Sequence, residues 1–359
     1  MQLVLSLAAL LLPATCSAAP VPAAFNDTAD ARLPAWELVG RMPTARLGLA
    51  SAYEATADRI YCLGGEQFAT NLATAESMDP ADPLDGWRQE ADMPEPRWQN
   101  AAVSAPGRVY TMGGFAETTP IASMVSIDTV TGAWRTETPM PTPRALLSAV
   151  YATSNAKIYA MGGRGAQDPF DPVVATVETY DPTTGQWSPE PDMPEQRQGY
   201  SHTQSPPPLD SQGCFLRDRW ICHSSAAAVY VPEVDRIYVI AGGNGNGAEL
   251  DTVDSMDVAT GQWRSELPVP TQRTLVSATA INGRIYVIGG VGPAGAGTAV
   301  ESMDAVSGVW RQEPDLPDDR WQSSAAAAGE KIFALGGNSN GGGLATVVAL
   351  PTPANPPPQ

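Results

Sequence analysis

Basic residues are scarce in this chain. Lysine and arginine together number 21, against 39 aspartates and glutamates, which gives a formal net charge of −18 and a pI of about 4.4. Because nucleic acids and anionic membranes attract basic surfaces, this balance argues against both as partners. An acidic balance is also an ordinary solubility feature, so by itself it predicts no specific cation site.

Histidines and long apolar runs are scarce as well. The 2 histidines, His202 and His223, both lie beside one segment of the chain. No Ser/His/Asp arrangement, phosphate-binding loop or metal-ligand motif stands out. After residue 12 no apolar run is long enough to cross a bilayer. We therefore expect no metal, no cofactor and no membrane span.

The beginning of the chain is typical of an export signal. An apolar stretch over 3–12 is too short to span a membrane, and small residues suited to a cleavage site follow it. This predicts a signal peptide over 1–19, a linker over 20–32 and a secreted protein. Asn26 begins an Asn-Asp-Thr sequence, which is a glycosylation acceptor in such a linker.

A glycine pair preceded by a short apolar run occurs six times. The pairs are Gly64/Gly65, Gly113/Gly114, Gly162/Gly163, Gly242/Gly243, Gly289/Gly290 and Gly336/Gly337. Their spacings are 49, 49, 80, 47 and 47 residues, so one unit is repeated six times with a single large insertion. A period of this length is typical of a propeller or a solenoid.

The residues around each pair predict β-strands. A β-branched and aromatic run precedes the glycines, as over 236–240, and the glycines end it. In five units a tryptophan follows the first glycine after 21 to 25 residues, and in four of these an aspartate-to-glycine turn precedes it. Runs of small residues such as 100–103 and 323–326 suit the crowded inner strands of a ring.

A double glycine, a Tyr-Asp turn and a tryptophan at these spacings resemble the kelch repeat family, over residues about 33 to 350. The resemblance implies an all-β fold, a six-bladed kelch-type β-propeller. No tryptophan follows the sixth glycine pair, whereas Trp36 has no glycine pair before it. The N-terminal strand is therefore expected to complete the last blade and close the ring. A proline-rich, disordered tail is predicted over 351–359, and we expect a monomer.

The insertion, at about 198–218, lies in the connection that enters blade four. Arg197 and Arg219 are both candidates for the arginine that precedes the inner strand of this blade. The residues after Arg219 match those after Arg320 better, which favours Arg219. Loops of this length in a compact fold are usually functional or disordered.

Three cysteines remain after removal of the signal peptide. Cys214 and Cys222 are close together in an oxidising compartment, which predicts a disulfide. A zinc site formed with His202 and His223 is the alternative. Cys62 takes a strand position that holds Thr, Ala or Val in other units, so we expect a small buried residue without chemistry.

Arginine–tryptophan pairs recur in alternate units, at Arg97-Trp98, Arg219-Trp220 and Arg320-Trp321. If these residues face the mouth of the central channel, their rings and guanidinium groups would suit a sugar or an acidic group. The alternative is that the arginines tie neighbouring blades together and the tryptophans fill the gaps between them. Further candidates on this face follow the glycine pairs, namely Glu66, Arg164, Asn244 and Asn338.

Two functional hypotheses follow. The first is a secreted, non-catalytic binding module that presents one propeller face to a protein or carbohydrate ligand. The second, implied by the resemblance, is a carbohydrate-active enzyme similar to sialic acid epimerases or mutarotases, with Glu66 and an arginine near the channel. Leu72 stands where the epimerases have an arginine. The histidines do not suit a copper site of galactose oxidase type, and the export signal argues against an intracellular ubiquitin-ligase adaptor.

Overall fold

A computed structural model describes residues 35–165, 173–195, 226–243, 249–292, 296–339 and 342–352. Within these ranges the strands form six four-stranded antiparallel sheets. The first strands of neighbouring sheets contact one another around a common axis, so each sheet is a blade. This arrangement confirms the predicted six-bladed, all-β propeller.

In each blade the first strand lies nearest the axis and the fourth strand lies at the outer edge. The strands of blades one to three are Ala50–Glu54, Arg59–Leu63, Ala75–Met78 and Trp87–Gln89; Ala101–Ala105, Arg108–Met112, Met124–Asp128 and Trp134–Thr136; and Ser148–Ala152, Lys157–Met161, Val177–Asp181 and Gln186–Glu190. Those of blades four to six are Ala227–Val231, Arg236–Ile240, Val253–Asp257 and Trp263–Ser265; Ser277–Ile281, Arg284–Ile288, Val300–Asp304 and Trp310–Gln312; and Ser324–Ala328, Lys331–Leu335, Thr346–Pro351 and Glu37–Arg41.

The last blade contains both ends of the propeller. Glu37–Arg41 pairs antiparallel with Thr346–Pro351, so the N-terminal strand is the outer strand of blade six. The Nε1 of Trp36 donates to the Pro314 carbonyl at 2.9 Å, as Trp134 Nε1 donates to the Ala91 carbonyl at 2.7 Å. Trp36 therefore plays in blade six the part that Trp134 plays in blade two, as predicted.

The apolar core of the described blades is divided into layers, one between each pair of neighbouring blades. Between blades one and two, for example, Tyr61 and Leu63 pack with Val109 and Ile127. Each blade therefore depends on both of its neighbours to bury its faces.

The antiparallel connections alternate between the two faces of the ring. The long-loop face carries the loops from second to third strands, such as 64–74, and the links from each blade to the next, such as 90–100. The short-turn face carries the remaining turns, such as 55–58 and 129–133. The insertion at about 198–218 belongs to a link of the long-loop face and lies outside the described residues.

Blade four shifts the glycine motif by one residue. In the other blades both glycines of the pair have positive φ, for example 60° at Gly289 and 104° at Gly290. In blade four the equivalent residues are Ala241, with φ 55°, and Gly242, with φ 99°. The predicted pair Gly242/Gly243 is therefore one residue late, because Ala241 directly follows the strand Arg236–Ile240.

Several short strand pairs and one 3₁₀ turn lie on the long-loop face. Within the described ranges these are the strand pairs Glu66–Gln67 and Thr70–Asn71, Phe115–Ala116 and Thr119–Pro120, Arg144–Ala145 and Arg164–Gly165, and Asn338–Ser339 and Gly342–Gly343, and the 3₁₀ turn Ala296–Thr298. No helix in that part of the chain could cross a membrane.

Cys62 is a free, fully buried cysteine in blade one, as its strand position predicts. Burial raises the pKa of its thiol to about 12. The signal peptide, Asn26, the Cys214–Cys222 disulfide and its zinc alternative with His202 and His223 all fall outside the described residues and stay predictions.

Candidate binding sites on the long-loop face and in the channel

Arginines that precede the inner strands are fully buried within the long-loop face. In the described blades these are Arg46, Arg97, Arg144, Arg273 and Arg320. Between blades one and two, the Arg97 carbonyl accepts a hydrogen bond from Gly65 N at 2.9 Å. The Arg97 Nη1 donates to the carbonyls of Gly113 and Ser123 at 3.3 and 3.0 Å. One residue thus holds the glycine loop of the preceding blade with its main chain and that of its own blade with its side chain.

This geometry corrects the predicted role of Arg97 and Arg320 as ligand contacts. Both side chains are fully buried, and Arg320 Nη1 donates to the carbonyls of Gly336 at 2.6 Å and Thr346 at 3.0 Å. Burial lowers the pKa of both guanidinium groups to about 10. These arginines tie blades together, which is the alternative that the sequence left open.

The linking arginine of blade four is not among the described residues, so the choice between Arg197 and Arg219 stays a prediction. Thr252 Oγ1 donates to Glu195 Oε2 at 3.1 Å, and Ser123 Oγ donates in the same way to Glu95. Glu195 therefore stands where Glu95 does. The inner strand of blade four begins at Ala227, too far beyond Arg219 to match the spacing from Arg320 to its strand at Ser324. Arg219 and Trp220 themselves lie outside the described residues.

A buried carboxylate follows the same alternation as the residues after the arginines in the described blades. Arg46, Arg144 and Arg273 form ion pairs with the buried residues Glu76, Glu178 and Glu301 of their own blades. The Arg144–Glu178 pair joins Nη2 to Oε2 at 2.6 Å. At the equivalent position blades two and six have Val125 and Val348. These are the described blades in which tryptophan follows the arginine.

Trp98 and Trp321 differ in how deeply their side chains are buried. Trp98 is only 4% exposed and stacks at a tilt on Phe115, with ring centroids 5.5 Å apart. Leu47, Ala145 and Leu146 complete this apolar cluster, so Trp98 supports the loops of blades one to three and presents little of its ring to solvent. Trp321 is half-buried.

The residues after the glycine pairs occupy equivalent places near the axis. Glu66 and Leu47 exchange main-chain hydrogen bonds at 2.9 and 3.2 Å. Arg164 pairs with Ala145, and Asn338 with Trp321, in the same way. All three side chains are half-buried on the long-loop face. Asn244 lies outside the described residues.

Sequence reasoning missed Phe68. Its side chain is 94% exposed, more than any other large apolar side chain in the described blades. Phe68 and Ala69 form the tip of a hairpin in blade one, with φ values of 49° and 60°. Such turns ordinarily use Asn and Gly, so no turn signal in the sequence marked this hairpin.

The inner strands surround a central channel of about 430 Å³. Its wall is mainly Ala, Ser and Val, as the runs of small residues predicted. Gln99 and Gln322 line the long-loop end, and Tyr53, Tyr151 and Tyr230 line the short-turn end. Within the described residues, no charged side chain lines this channel.

The channel does not support the enzyme alternative. Neither Glu66 nor any guanidinium group belongs to the described channel wall. Where the chain is described, no group of three or more His, Cys, Asp or Glu side chains could hold a metal ion.

Comparisons with known proteins agree with this architecture. A family model described as the kelch motif matches residues 97–141, 147–194, 235–266 and 272–317. The chain is 24% identical over 279 residues to human "Kelch repeat and BTB domain-containing protein 13", covering 75% of this chain and 53% of that protein. It is 29% identical over 174 residues to "Beta-scruin" of Limulus polyphemus, covering 45% and 18%. The chain thus spans about half or less of the length of these relatives.

A solved structure described as "Structure of YjhT" has the same fold. The TM-score is 0.68 with 18% sequence identity, and the match covers 89% of this chain and 98% of the other. At this identity the likeness concerns the fold alone. The repeated glycine loops, the closure by the N-terminal strand and the family match together show that the chain belongs to the kelch-repeat β-propeller family.

Proposed function

We propose that this chain is an exported, non-catalytic module that binds a protein partner through its long-loop face. The observation that carries the proposal is Phe68, an aromatic side chain that is 94% exposed at the tip of a hairpin on this face. The family match supports an interaction role, and the signal peptide predicted over 1–19 supports export.

The backbone at the hairpin tip is strained. A left-handed conformation costs an ordinary side chain about 1 to 2 kcal/mol, and Phe68 and Ala69 both adopt it. Because the exposed ring buries little apolar surface, it does not offset this cost to the stability of the fold. Strained backbone of this kind is concentrated at active sites, ligand-binding sites and switch regions. Aromatic side chains, phenylalanine included, are also enriched at protein interfaces.

The base of the hairpin is firmly held. Its first strand is bonded to Leu47, and Asn71 Nδ2 donates to the Phe115 carbonyl of blade two at 3.1 Å. Phe115 in turn stacks on the buried Trp98. A ring presented from such a platform loses little freedom on binding, which favours affinity.

The test begins with the chain expressed with its own first 19 residues in a secreting host and recovered from the medium. The purified protein is screened against arrays of extracellular proteins and glycans. Dissociation constants for any hit are then measured with the wild type, Phe68→Ala and Val130→Ala by biolayer interferometry. Val130 is 85% exposed on the short-turn face and is the matched control.

We expect Phe68→Ala to weaken binding of a protein at least about tenfold, as for an interface anchor, and Val130→Ala to change it less than twofold. Equal losses in both variants, or a loss with Val130→Ala alone, would refute the assigned face. Binding to glycans only would refute the partner class, and retention inside the host would refute export.

A further inference from the structure

Most polar groups in the channel are paired across blades. Ser51 Oγ donates to Ser324 Oγ at 2.7 Å, Ser104 Oγ to the Tyr53 carbonyl at 2.6 Å, and Ser148 Oγ to the Ala226 carbonyl at 2.5 Å. These bonds satisfy the hydroxyl groups and join neighbouring inner strands. They leave the serines as structural residues.

The two glutamine side chains in the described channel wall are different. Gln99 is 7% exposed and Gln322 is 6% exposed, and the Nε2 of each has no hydrogen-bond partner. Burying a polar group without a protein partner is unfavourable, and a bound molecule that pairs with the group removes this cost. Because the last torsion of a glutamine is soft, either amide atom can turn towards a molecule in the channel.

The main chain brings these two amides to the same part of the channel. Gly48 N donates to the Gln322 carbonyl at 3.2 Å, and Gln99 N donates to the Gly48 carbonyl at 2.8 Å. Gly48 therefore lies between the two glutamines, and its missing side chain leaves room. A Cβ at residue 48 would lie only 3.1 Å from Gln99 Nε2.

The other end of the channel adds aromatic surface. The hydroxyls of Tyr53 and Tyr230 donate to Asp58 and Asp235, at 2.8 and 3.0 Å. In blade three Ala156 has the position and the positive φ of these aspartates, so Tyr151 lacks a carboxylate of this kind. Three tyrosines thus border a channel whose described wall carries no charge.

We propose that the channel binds a small, neutral, polyhydroxylated molecule such as a simple sugar, whose oxygen atoms bond to the amides of Gln99 and Gln322. An uncharged wall gives a charged ligand nothing to replace its hydration. Amide groups and tyrosine rings suit a molecule with hydroxyl groups and apolar faces. The volume is within the range of small-molecule pockets. This site is separate from the protein-binding surface at Phe68.

The probes are glucose and N-acetylglucosamine, with gluconate and glucosamine as charged counterparts. Binding is measured by saturation-transfer NMR and titration calorimetry on the wild type, the double variant Gln99→Met/Gln322→Met and the control Thr279→Val. Methionine keeps the approximate length of glutamine but donates no hydrogen bond. Thr279 lines the channel in blade five, away from Gly48. Urea unfolding of each variant is measured in parallel.

We expect a neutral probe to bind the wild type, and the double variant to lose at least tenfold in affinity without losing stability. Thr279→Val should stay within twofold. The proposal is wrong if neither neutral sugar binds, if the charged probes bind equally well, or if the double variant binds normally. A double variant that loses stability along with binding would make the amides structural and also refutes it. Phe68→Ala should leave sugar binding unchanged, so the failure of either proposal can be told from that of the other.

Discussion

At the scale of single residues, one methyl group distinguishes blade four. A Cβ at Gly289 would lie 2.2 Å from the Arg320 carbonyl of the next blade, and Gly290 N donates to that carbonyl at 2.9 Å. At the equivalent place Ala241 carries a Cβ, and Gly242 N makes no such bond to the Arg273 carbonyl. The methyl group therefore weakens the link between blades four and five.

Ala241→Gly is expected to stabilise the protein by about 1 kcal/mol, because it removes left-handed strain and lets the missing bond form. Gly289→Ala should destabilise it by about 2 kcal/mol or more, because a new Cβ would collide with main chain. Urea unfolding monitored by tryptophan fluorescence measures both changes. A destabilising Ala241→Gly would show that the alanine is a packing residue.

At the scale of elements, the arginine links couple a strand, a glycine loop and the next blade. Arg144 donates to the Gly162 and Thr176 carbonyls at 3.1 and 2.8 Å, and it neutralises the buried Glu178. Arg97 makes similar bonds to carbonyls, but its carboxylate partner, Glu95, is 39% exposed. The two arginines make similar hydrogen bonds to carbonyl groups. Removing Arg144 would leave a buried carboxylate without a partner, whereas removing Arg97 would leave a partly exposed one.

Arg144→Met should cost about 3 to 5 kcal/mol, because it leaves a buried carboxylate without its partner. Arg144→Met/Glu178→Met should recover most of this loss, since two apolar side chains then replace the ion pair. Arg97→Met should cost less than Arg144→Met, because Glu95 can remain in water. Free energies of unfolding from urea titrations give the comparison. Equal costs for both arginines would contradict the assigned role of Glu178.

The sequence predicted the blades and their closure because each of these signals is local or repeated. The glycine loops recur with one period, and an unpaired Trp36 was enough to place the N-terminal strand. The roles of Arg97 and Arg320 were not predictable in this way. Their neighbours in sequence, Trp98 and Trp321, suggested a binding ring, whereas burial against carbonyls of distant residues decides their role.

The candidate sites depended on features that sequence does not display. Phe68 stands in a turn without Asn or Gly, so only the folded hairpin shows that it is strained and exposed. Gln99 and Gln322 are far apart in sequence and are brought together by closure of the ring through Gly48. In blade four Ala241 takes the place of a glycine, so the glycine pair read from the sequence was one residue late.

At the scale of the whole molecule, the N-terminal strand contributes to two core layers. Trp36 packs in the layer between blades five and six, and Val39 packs in the layer between blades six and one. Gly40 also lies against blade one, where a Cβ would come within 2.0 Å of the Pro83 carbonyl. The strand therefore closes the ring by both hydrogen bonds and packing.

Deleting residues 1–41 removes apolar side chains from two core layers and should lower the free energy of unfolding by about 3 kcal/mol. The midpoint of thermal unfolding should fall by roughly 5 to 10 °C. The exposed edge of Thr346–Pro351 should also promote association between copies. Deleting residues 1–34 is the control and should change neither property. Calorimetry and light scattering after gel filtration provide the readouts. A fully stable, monomeric product of the longer deletion would mean that closure is dispensable.

The main-chain bonds around the channel have an electrostatic consequence. From Leu275 to Gln322, Gly48, Gln99 and Leu146, each residue's N–H donates to the carbonyl of the preceding one, so the described links all point the same way around the axis. Peptide dipoles that follow one another around an axis do not add up along that axis, whereas those of a helix add up to a positive and a negative pole. The described part of this series therefore places no helix-like pole at the channel mouth. Selection of a ligand by charge at this opening therefore depends on side chains, and none of the five residues in this series has a charged one.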